Sequence, residues 1–140
     1  MPEPDITFTG MHFFVRDMKA TAAFYRLLGF AASGSEHFSR AVMPDGKTFE
    51  FGSYALTKGY DPEWREPAGA GSNALQFRLA TRDAVDDLFA KLTGAGHGAH
   101  LAPFDAFWGS RYAEVLDPDG NVVGFHSPRD DTRVSAPPGI

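Results

Sequence analysis

The sequence contains no cysteine, no long apolar run and no cluster of basic residues. Without cysteine there can be no disulfide bond, thiolate metal site or cysteine nucleophile, so any metal ligand must be His, Asp or Glu. The first ten residues, MPEPDITFTG, lack the basic and apolar regions of a signal peptide or membrane anchor. We therefore expect a cytoplasmic protein with no membrane partner.

The charge balance argues against a nucleic-acid partner. There are 13 Lys and Arg residues against 18 Asp and Glu residues, and the formal net charge is −5. Binding to a phosphate backbone requires several clustered basic side chains, which this chain does not offer. Its 140 residues, 43% hydrophobic and 22% charged, are typical of one ordinary globular domain.

The first half of the chain predicts the element order βαβββ. Residues 6–15 suit a half-buried strand, and Asp17 caps a predicted helix at about 17–28. Three short apolar segments follow, separated by Ser-Gly and Pro-Asp-Gly turns that are typical of an antiparallel meander. This first module is predicted to span about 5–56.

The second half predicts the same order after a break. Residues 57–72 are rich in Gly, Pro and charge and predict a linker or loop. The second module, about 73–127, begins with the strand NALQFRLA and continues with an amphipathic helix at about 82–93. Residues 128–140 are polar and rich in proline, so we expect a loosely ordered tail.

Matching positions indicate that the two halves arose by duplication. Val15 and Phe24 lie 64 residues before Leu79 and Leu88. The ends of the two first strands and the apolar faces of the two helices therefore correspond. The two Pro-Asp-Gly turns lie 74 residues apart, because the second half has a longer connection between strands. One such turn is weak evidence for a repeat. Two turns at the same place in two matching orders of strands and helices favour an internal repeat.

Two segments carry a resemblance to a known family, VRDMKATAAFYRLLGF at the first strand-to-helix entry and DPDGNVVGF at the last hairpin. They resemble the vicinal oxygen chelate superfamily, which includes glyoxalase I, extradiol dioxygenases, fosfomycin resistance transferases and bleomycin resistance proteins. The resemblance covers roughly residues 6–127. It implies an α+β fold in which two βαβββ modules form an open curved sheet around a cavity.

The resemblance also implies where metal ligands would lie. The family's metal enzymes take one ligand near the start of each module's first strand and one from the strand after each Asp-Gly turn. The corresponding positions here are Gly10, Glu50, Ala74 and Gly124. Only Glu50 has a ligand side chain, whereas such sites need about three protein ligands. We therefore predict no inherited metal centre and no cofactor.

A shifted metal site is the alternative, because a residue two places along a strand faces the same way. His12, Gln76 and His126 qualify, and with Glu50 they would offer two imidazoles, an amide and a carboxylate. Two residues displace a side chain by about 6–7 Å along a strand, and metal ligands tolerate errors of about 0.2 Å. The other interpretation is that the four side chains are polar linings of a ligand cavity.

Two tryptophans and two arginines complete the candidate site. Trp64 and Trp108 fall in loops, where a large aromatic is a candidate wall or lid of the cavity. Arg78 and Arg111 lie within predicted strands, where each is either a salt-bridge residue or a ligand anchor.

We therefore predict a metal-free small-molecule-binding protein of the bleomycin resistance type, with a planar or cationic ligand and a homodimeric assembly. The predicted ligand-binding residues are His12, Glu50, Trp64, Gln76, Trp108, Arg111 and His126. Acidic net charge and loop tryptophans favour a flat or cationic ligand. The alternatives are a metal-dependent lyase, isomerase or dioxygenase that uses the shifted set, and a structural or regulatory dimer without a ligand.

Overall fold

The computed structural model describes residues 4–69 and 73–139. The chain forms two compact units, Met1–Glu66 and Pro67–Ile140. The last three residues of the predicted linker and the last residue of the predicted tail lie outside the described residues.

The first unit contains one four-stranded sheet and two helices. Its elements are β1 (Gly10–Val15), α1 (Met18–Leu27), β2 (Ser33–Gly34), β3 (Phe38–Val42), β4 (Thr48–Ser53) and α2 (Tyr54–Tyr60). The strand order is β1-β4-β3-β2, with β1 parallel to β4 and the other pairs antiparallel.

The second unit repeats this topology. Its elements are β5 (Ala74–Arg78), α3 (Arg82–Gly94), β6 (Gly98–Asp105), β7 (Arg111–Leu116), β8 (Val122–His126) and a 3-10 turn (Asp131–Arg133). The order is β5-β8-β7-β6, again with one parallel pair. The predicted α+β class with two βαβββ modules is confirmed, and neither sheet is closed.

The two long helices begin where the sequence provides a capping side chain. Asp17 accepts a hydrogen bond from the backbone N–H of Ala20 at 3.1 Å, and Thr81 accepts one from Ala84 at the same distance. These bonds satisfy amide groups that the first turn leaves without a helical partner. The predicted spans of 17–28 and 82–93 therefore agree with the observed helices to within about one residue.

Helix α2 was not predicted, because its residues were assigned to the end of a strand and the beginning of a linker. Ser53 caps it by accepting a hydrogen bond from Leu56 N at 3.0 Å, and the hydroxyl of Thr57 donates to Ser53 O at 2.9 Å. A serine that ends a strand and caps a helix is a signal that the sequence did contain. The first strand also differs, since it begins at Gly10 rather than at residue 6.

The expectation of a loosely ordered tail is wrong for the residues that follow β8. Asp130 N donates to Gly109 O at 3.0 Å, and Ser135 N donates to Phe107 O at 2.8 Å. These backbone bonds attach the tail to the turn between β6 and β7. The tail therefore supports the turn that carries Trp108.

Each sheet has one apolar face, which a helix of the same unit covers. In the first unit, Phe13 and Phe51 are buried and pack against Tyr25 of α1, with ring centroids 5.8 and 5.1 Å apart. In the second unit α3 packs on β6 and β7. Its Val85 and Leu92 are fully buried. Because strand side chains alternate, most of the polar strand residues lie on the opposite face of each sheet.

Within the described part of the chain, no helix has both the length and the apolar character needed to cross a membrane.

Candidate functional site

The polar face of the second sheet carries the densest group of chemically useful side chains. Register places Arg78, His126 and Tyr112 side by side on β5, β8 and β7. Gln76 and Glu114 flank Gly124 in the neighbouring row. Adjacent strands lie about 4.8 Å apart, so these side chains stand close together on one surface.

A chain of hydrogen bonds links three of these side chains. Gln76 Nε2 donates to the Tyr112 hydroxyl at 2.8 Å, and that hydroxyl donates to Glu114 Oε2 at 2.6 Å. Burial, reinforced by the hydrogen bond to Glu114, raises the pKa of Tyr112 to about 12. The hydroxyl therefore keeps its proton at neutral pH, and its donor and an acceptor position are both occupied.

Gly124 makes room for this chain. A Cβ atom built on Gly124 would lie 2.4 Å from the Tyr112 hydroxyl and 2.8 to 2.9 Å from the amide atoms of Gln76. The Gln76–Tyr112 hydrogen bond therefore passes over the backbone of a residue that has no side chain. Glycine at this position is a structural requirement of the chain of hydrogen bonds.

A cavity of about 680 Å³ opens onto this face. It is lined by Gln76, Arg78, Trp108, Ser110, Tyr112, Glu114, His126, Ser127, Pro128 and Arg129. Trp108 forms an aromatic wall, packing edge-on against Tyr112 with ring centroids 5.2 Å apart. The volume and the mixture of aromatic and convergent polar groups are typical of a small-molecule site.

The charged groups of this cavity differ in how well they are paired. Glu114 accepts the Tyr112 hydrogen bond, and His100 Nε2 lies 3.7 Å from its other oxygen. Arg129 pairs with Asp131 at 2.8 Å. Burial, and secondarily the charge of Arg78, lowers the pKa of His126 below its usual value. The imidazole of His126 is therefore neutral at pH 7 and offers one donor and one acceptor.

The polar face of the first sheet brings together two of the predicted residues. His12 Nδ1 lies 3.3 Å from Glu50 Oε2, and Arg40 Nη2 donates to Glu50 Oε1 at 3.0 Å. Among the described side chains, His12 Nε2 is a buried polar atom without a hydrogen-bond partner. When Nδ1 donates to Glu50, Nε2 carries a lone pair.

Gly52 provides the space for this imidazole. A Cβ at Gly52 would lie 2.8 Å from His12 Nε2. Register also shows that Gly52 neighbours Phe14 and Phe38, just as His126 neighbours Arg78 and Tyr112 in the other unit. In each unit a glycine of the inner strand of the parallel pair, Gly52 of β4 or Gly124 of β8, leaves room for a side chain of a neighbouring strand.

The remaining predicted residues lie in different environments. Trp64 belongs to the first unit, where it packs against Phe14 and Tyr54 with centroids 5.8 and 4.8 Å away. Arg111 lies on the helix side of the second sheet, where Nε donates to Asp86 Oδ1 at 3.0 Å and Nη1 reaches Asp105 at 3.4 Å. The hydrogen bond to Asp86 raises the pKa of Arg111. This geometry favours the salt-bridge interpretation of Arg111.

The residues present do not fit the family's metal centre. Gly10 adopts a φ of 148°, and a Cβ there would lie 1.9 Å from the Thr48 carbonyl oxygen, so the backbone excludes any ligand side chain. At Gly124, the space that a ligand side chain would need is occupied by the hydrogen bond between Gln76 and Tyr112. No group of three or more His, Asp or Glu side chains that could hold a metal ion occurs among the described residues.

Tyr112 and Glu114 are the main site residues that the sequence predictions missed. They lie two residues apart in RYAEVL, so the alternation of a strand places them on one face. A glutamate in the middle of a predicted strand needs a partner, and the tyrosine two residues before it was the available signal. Arg129 and Ser110 could be found only after the path of the tail and the turn was known.

The family model described as Glyoxalase/Bleomycin resistance protein/Dioxygenase superfamily matches residues 7–125. No curated protein matches the chain significantly.

Solved structures of the same family are similar in fold. A glyoxalase/bleomycin resistance protein/dioxygenase family enzyme from Burkholderia phytofirmans PsJN is 25% identical, with a TM-score of 0.75 over 85% of this chain and 96% of that one. A glyoxalase-related enzyme from Fulvimarina pelagi is 20% identical, with a TM-score of 0.77 over 86% and 87%. A lactoylglutathione lyase from Agrobacterium tumefaciens is 17% identical, with a TM-score of 0.66 over 90% and 96%. The last two proteins are only 20% and 17% identical to this chain, so their similarity shows a shared fold and nothing more.

Proposed function

Because the chain belongs to the glyoxalase/bleomycin resistance protein/dioxygenase superfamily, we propose that it is a metal-free small-molecule-binding protein of the bleomycin resistance type. Its ligand is planar and occupies the cavity on the polar face of the second sheet. The observation that carries the proposal is the hydrogen-bonded chain of Gln76, Tyr112 and Glu114 beside the aromatic wall of Trp108.

The hydrogen-bonded group of Gln76, Tyr112 and Glu114 suits ligand binding better than catalysis. A general base must be able to accept a proton near neutral pH, whereas the raised pKa of Tyr112 and its two occupied hydrogen-bond positions hold the hydroxyl protonated. A fixed polar floor and an aromatic wall instead orient a flat ligand. Stacking on an aromatic ring contributes about 0.5–1.5 kcal/mol beyond the area that it buries.

Replacing Trp108 with leucine is expected to weaken the binding of a planar aromatic probe such as 2-naphthamide by about tenfold, which corresponds to 1.4 kcal/mol. Isothermal titration calorimetry on protein treated with EDTA measures the change. Trp64→Leu is the matched control, because it removes the same indole from the other unit. Equal affinity of wild type and Trp108→Leu, or a loss confined to Trp64→Leu, would contradict the proposal.

A metal-dependent lyase, isomerase or dioxygenase is the second candidate, and the buried lone pair on His12 Nε2 beside Glu50 is the observation in its favour. Histidine and carboxylate are common metal ligands, but two ligands bind an ion only weakly. We expect protein purified without chelator to contain much less than one divalent ion per chain, as measured by elemental analysis. Stoichiometric metal that disappears in both His12→Ala and His126→Ala would favour the enzyme.

We also propose a homodimer. Strands β1 and β5 each stand at the end of their sheet's strand order, and such strands present backbone groups that favour pairing with a second chain. Light scattering at tens of micromolar protein tests the proposal, and a monomer mass unchanged by ligand would contradict it.

A further inference from the structure

We infer that the cavity of the second unit selects planar ligands that carry an acidic group, and that Arg78 anchors the acid. The inference rests on the proposed function and adds the chemical class of the ligand. It departs from the expectation of a cationic ligand, because that expectation used the net charge of the whole chain. The charges that line the cavity decide the question instead.

Arg78 is a cation on the cavity wall without a counterion. Across residues 4–69 and 73–139, its guanidinium forms no hydrogen bond or ion pair. Other arginines of the second unit differ, because Arg129 of the cavity wall pairs with Asp131, Arg82 pairs with Asp105 and Arg111 pairs with Asp86. A guanidinium presents parallel N–H groups that match the two oxygens of a carboxylate.

The neighbouring groups leave this positive charge uncompensated. His126, next to Arg78 across the parallel strand pair, has a lowered pKa, and an imidazole is neutral or cationic, so it supplies no negative charge to balance the guanidinium. Glu114 is the acidic residue of the cavity wall, but it already accepts from Tyr112, and its side chain is only 18% exposed. A cationic ligand would meet Arg78 and Arg129, whereas an anionic ligand gains a free donor.

The spacing of the sheet indicates how acid and ring are arranged. Arg78, His126 and Tyr112 occupy neighbouring positions on three adjacent strands, so Arg78 and Tyr112 are separated by two strand spacings, or about 10 Å. A ring that lies against Tyr112 and Trp108 can extend over His126 and direct its acid toward Arg78. Small aryl carboxylic acids with one or two fused rings have this shape.

Three probes of nearly the same shape test the inference: 2-naphthoate, neutral 2-naphthamide and cationic 2-naphthylmethylammonium. We expect calorimetry on EDTA-treated wild type to show naphthoate binding about tenfold or more tightly than the amide, because the guanidinium donates two parallel hydrogen bonds to a carboxylate and also attracts its negative charge. Arg78→Gln should reduce this ratio to near one, chiefly by weakening the binding of naphthoate. Arg26→Gln, which removes an exposed arginine of α1, is the matched control and should keep the preference.

The possible failures are distinguishable. Equal binding of acid and amide to wild type, a naphthoate affinity that Arg78→Gln does not change, or tighter binding of the cation would each overturn the role of Arg78 and leave the cavity proposal standing. No binding of any probe at millimolar concentration, or binding that Trp108→Leu does not weaken, would overturn the proposed function itself. Arg78→Gln should fold normally, because Arg78 is exposed and makes no ion pair with described residues.

Discussion

Replacing Gly10 with alanine is expected to lower the free energy of unfolding by about 2–4 kcal/mol. Gly10 has a φ of 148°, which side chains of L residues rarely adopt. The new Cβ would lie 1.9 Å from Thr48 O and 2.8 Å from Thr48 N, and both atoms belong to the backbone of the neighbouring strand. Neither can move without disturbing the parallel pairing of β1 and β4.

Urea denaturation followed by circular dichroism measures this loss. Gly59→Ala is the matched control within the same unit, because Gly59 lies in α2 with nothing within 4 Å of a built Cβ. That variant is expected to be more stable than wild type by up to about 1 kcal/mol. A Gly10→Ala protein as stable as wild type would show that position 10 accepts a side chain, and it would reopen this position to a metal ligand.

Replacing Gly124 with alanine is expected to cost about 1–3 kcal/mol of stability and to weaken aromatic binding. The Cβ would displace the Tyr112 hydroxyl and the Gln76 amide, which are the two ends of one hydrogen bond. Displacing Tyr112 also removes the proton donor from Glu114, a carboxylate that is largely buried. Burying an unpaired charge costs free energy, so the loss of stability and the loss of aromatic binding have the same origin.

The same denaturation and calorimetry experiments apply, with Gly94→Ala as the control from the same unit. Gly94 ends α3, has nothing within 4 Å of a built Cβ and should tolerate alanine with little change in stability. If Gly124→Ala bound 2-naphthamide as tightly as wild type and unfolded at the same denaturant concentration, the Gln76–Tyr112–Glu114 chain would have no role in the cavity.

The fold could be predicted because its signals are local. Asp17 and Thr81 begin helices through a hydrogen bond three residues along the chain, and the Pro-Asp-Gly turns fix hairpins within a few residues. Helix α2 escaped prediction because Ser53 serves two elements at once, and the attachment of the tail escaped because its bonds to Gly109 and Phe107 join distant parts of the chain.

The site could be predicted only in part, because it depends on register between strands. Gln76 is the equivalent of His12 in the repeat, His126 lies two residues beyond Gly124 on the same face of its strand, and both line the cavity. Tyr112 and Glu114 join them only through the pairing of β7 with β8, which periodicity along a single strand does not specify. Arg111 and Tyr112 are consecutive residues of β7, so their side chains lie on opposite faces of the sheet. The side chain of Arg111 therefore reaches Asp86 on α3.

Metal-free binding of a planar ligand beside Trp108 is tested by a nuclear magnetic resonance titration of EDTA-treated protein with 2-naphthoate. The chain has two tryptophans, so the indole N–H signals of Trp64 and Trp108 report separately on the two units. We expect the Trp108 signal to shift and saturate without any metal ion, while the Trp64 signal stays in place. A Trp108 signal that does not move, or that moves only after a divalent ion is added, would contradict it.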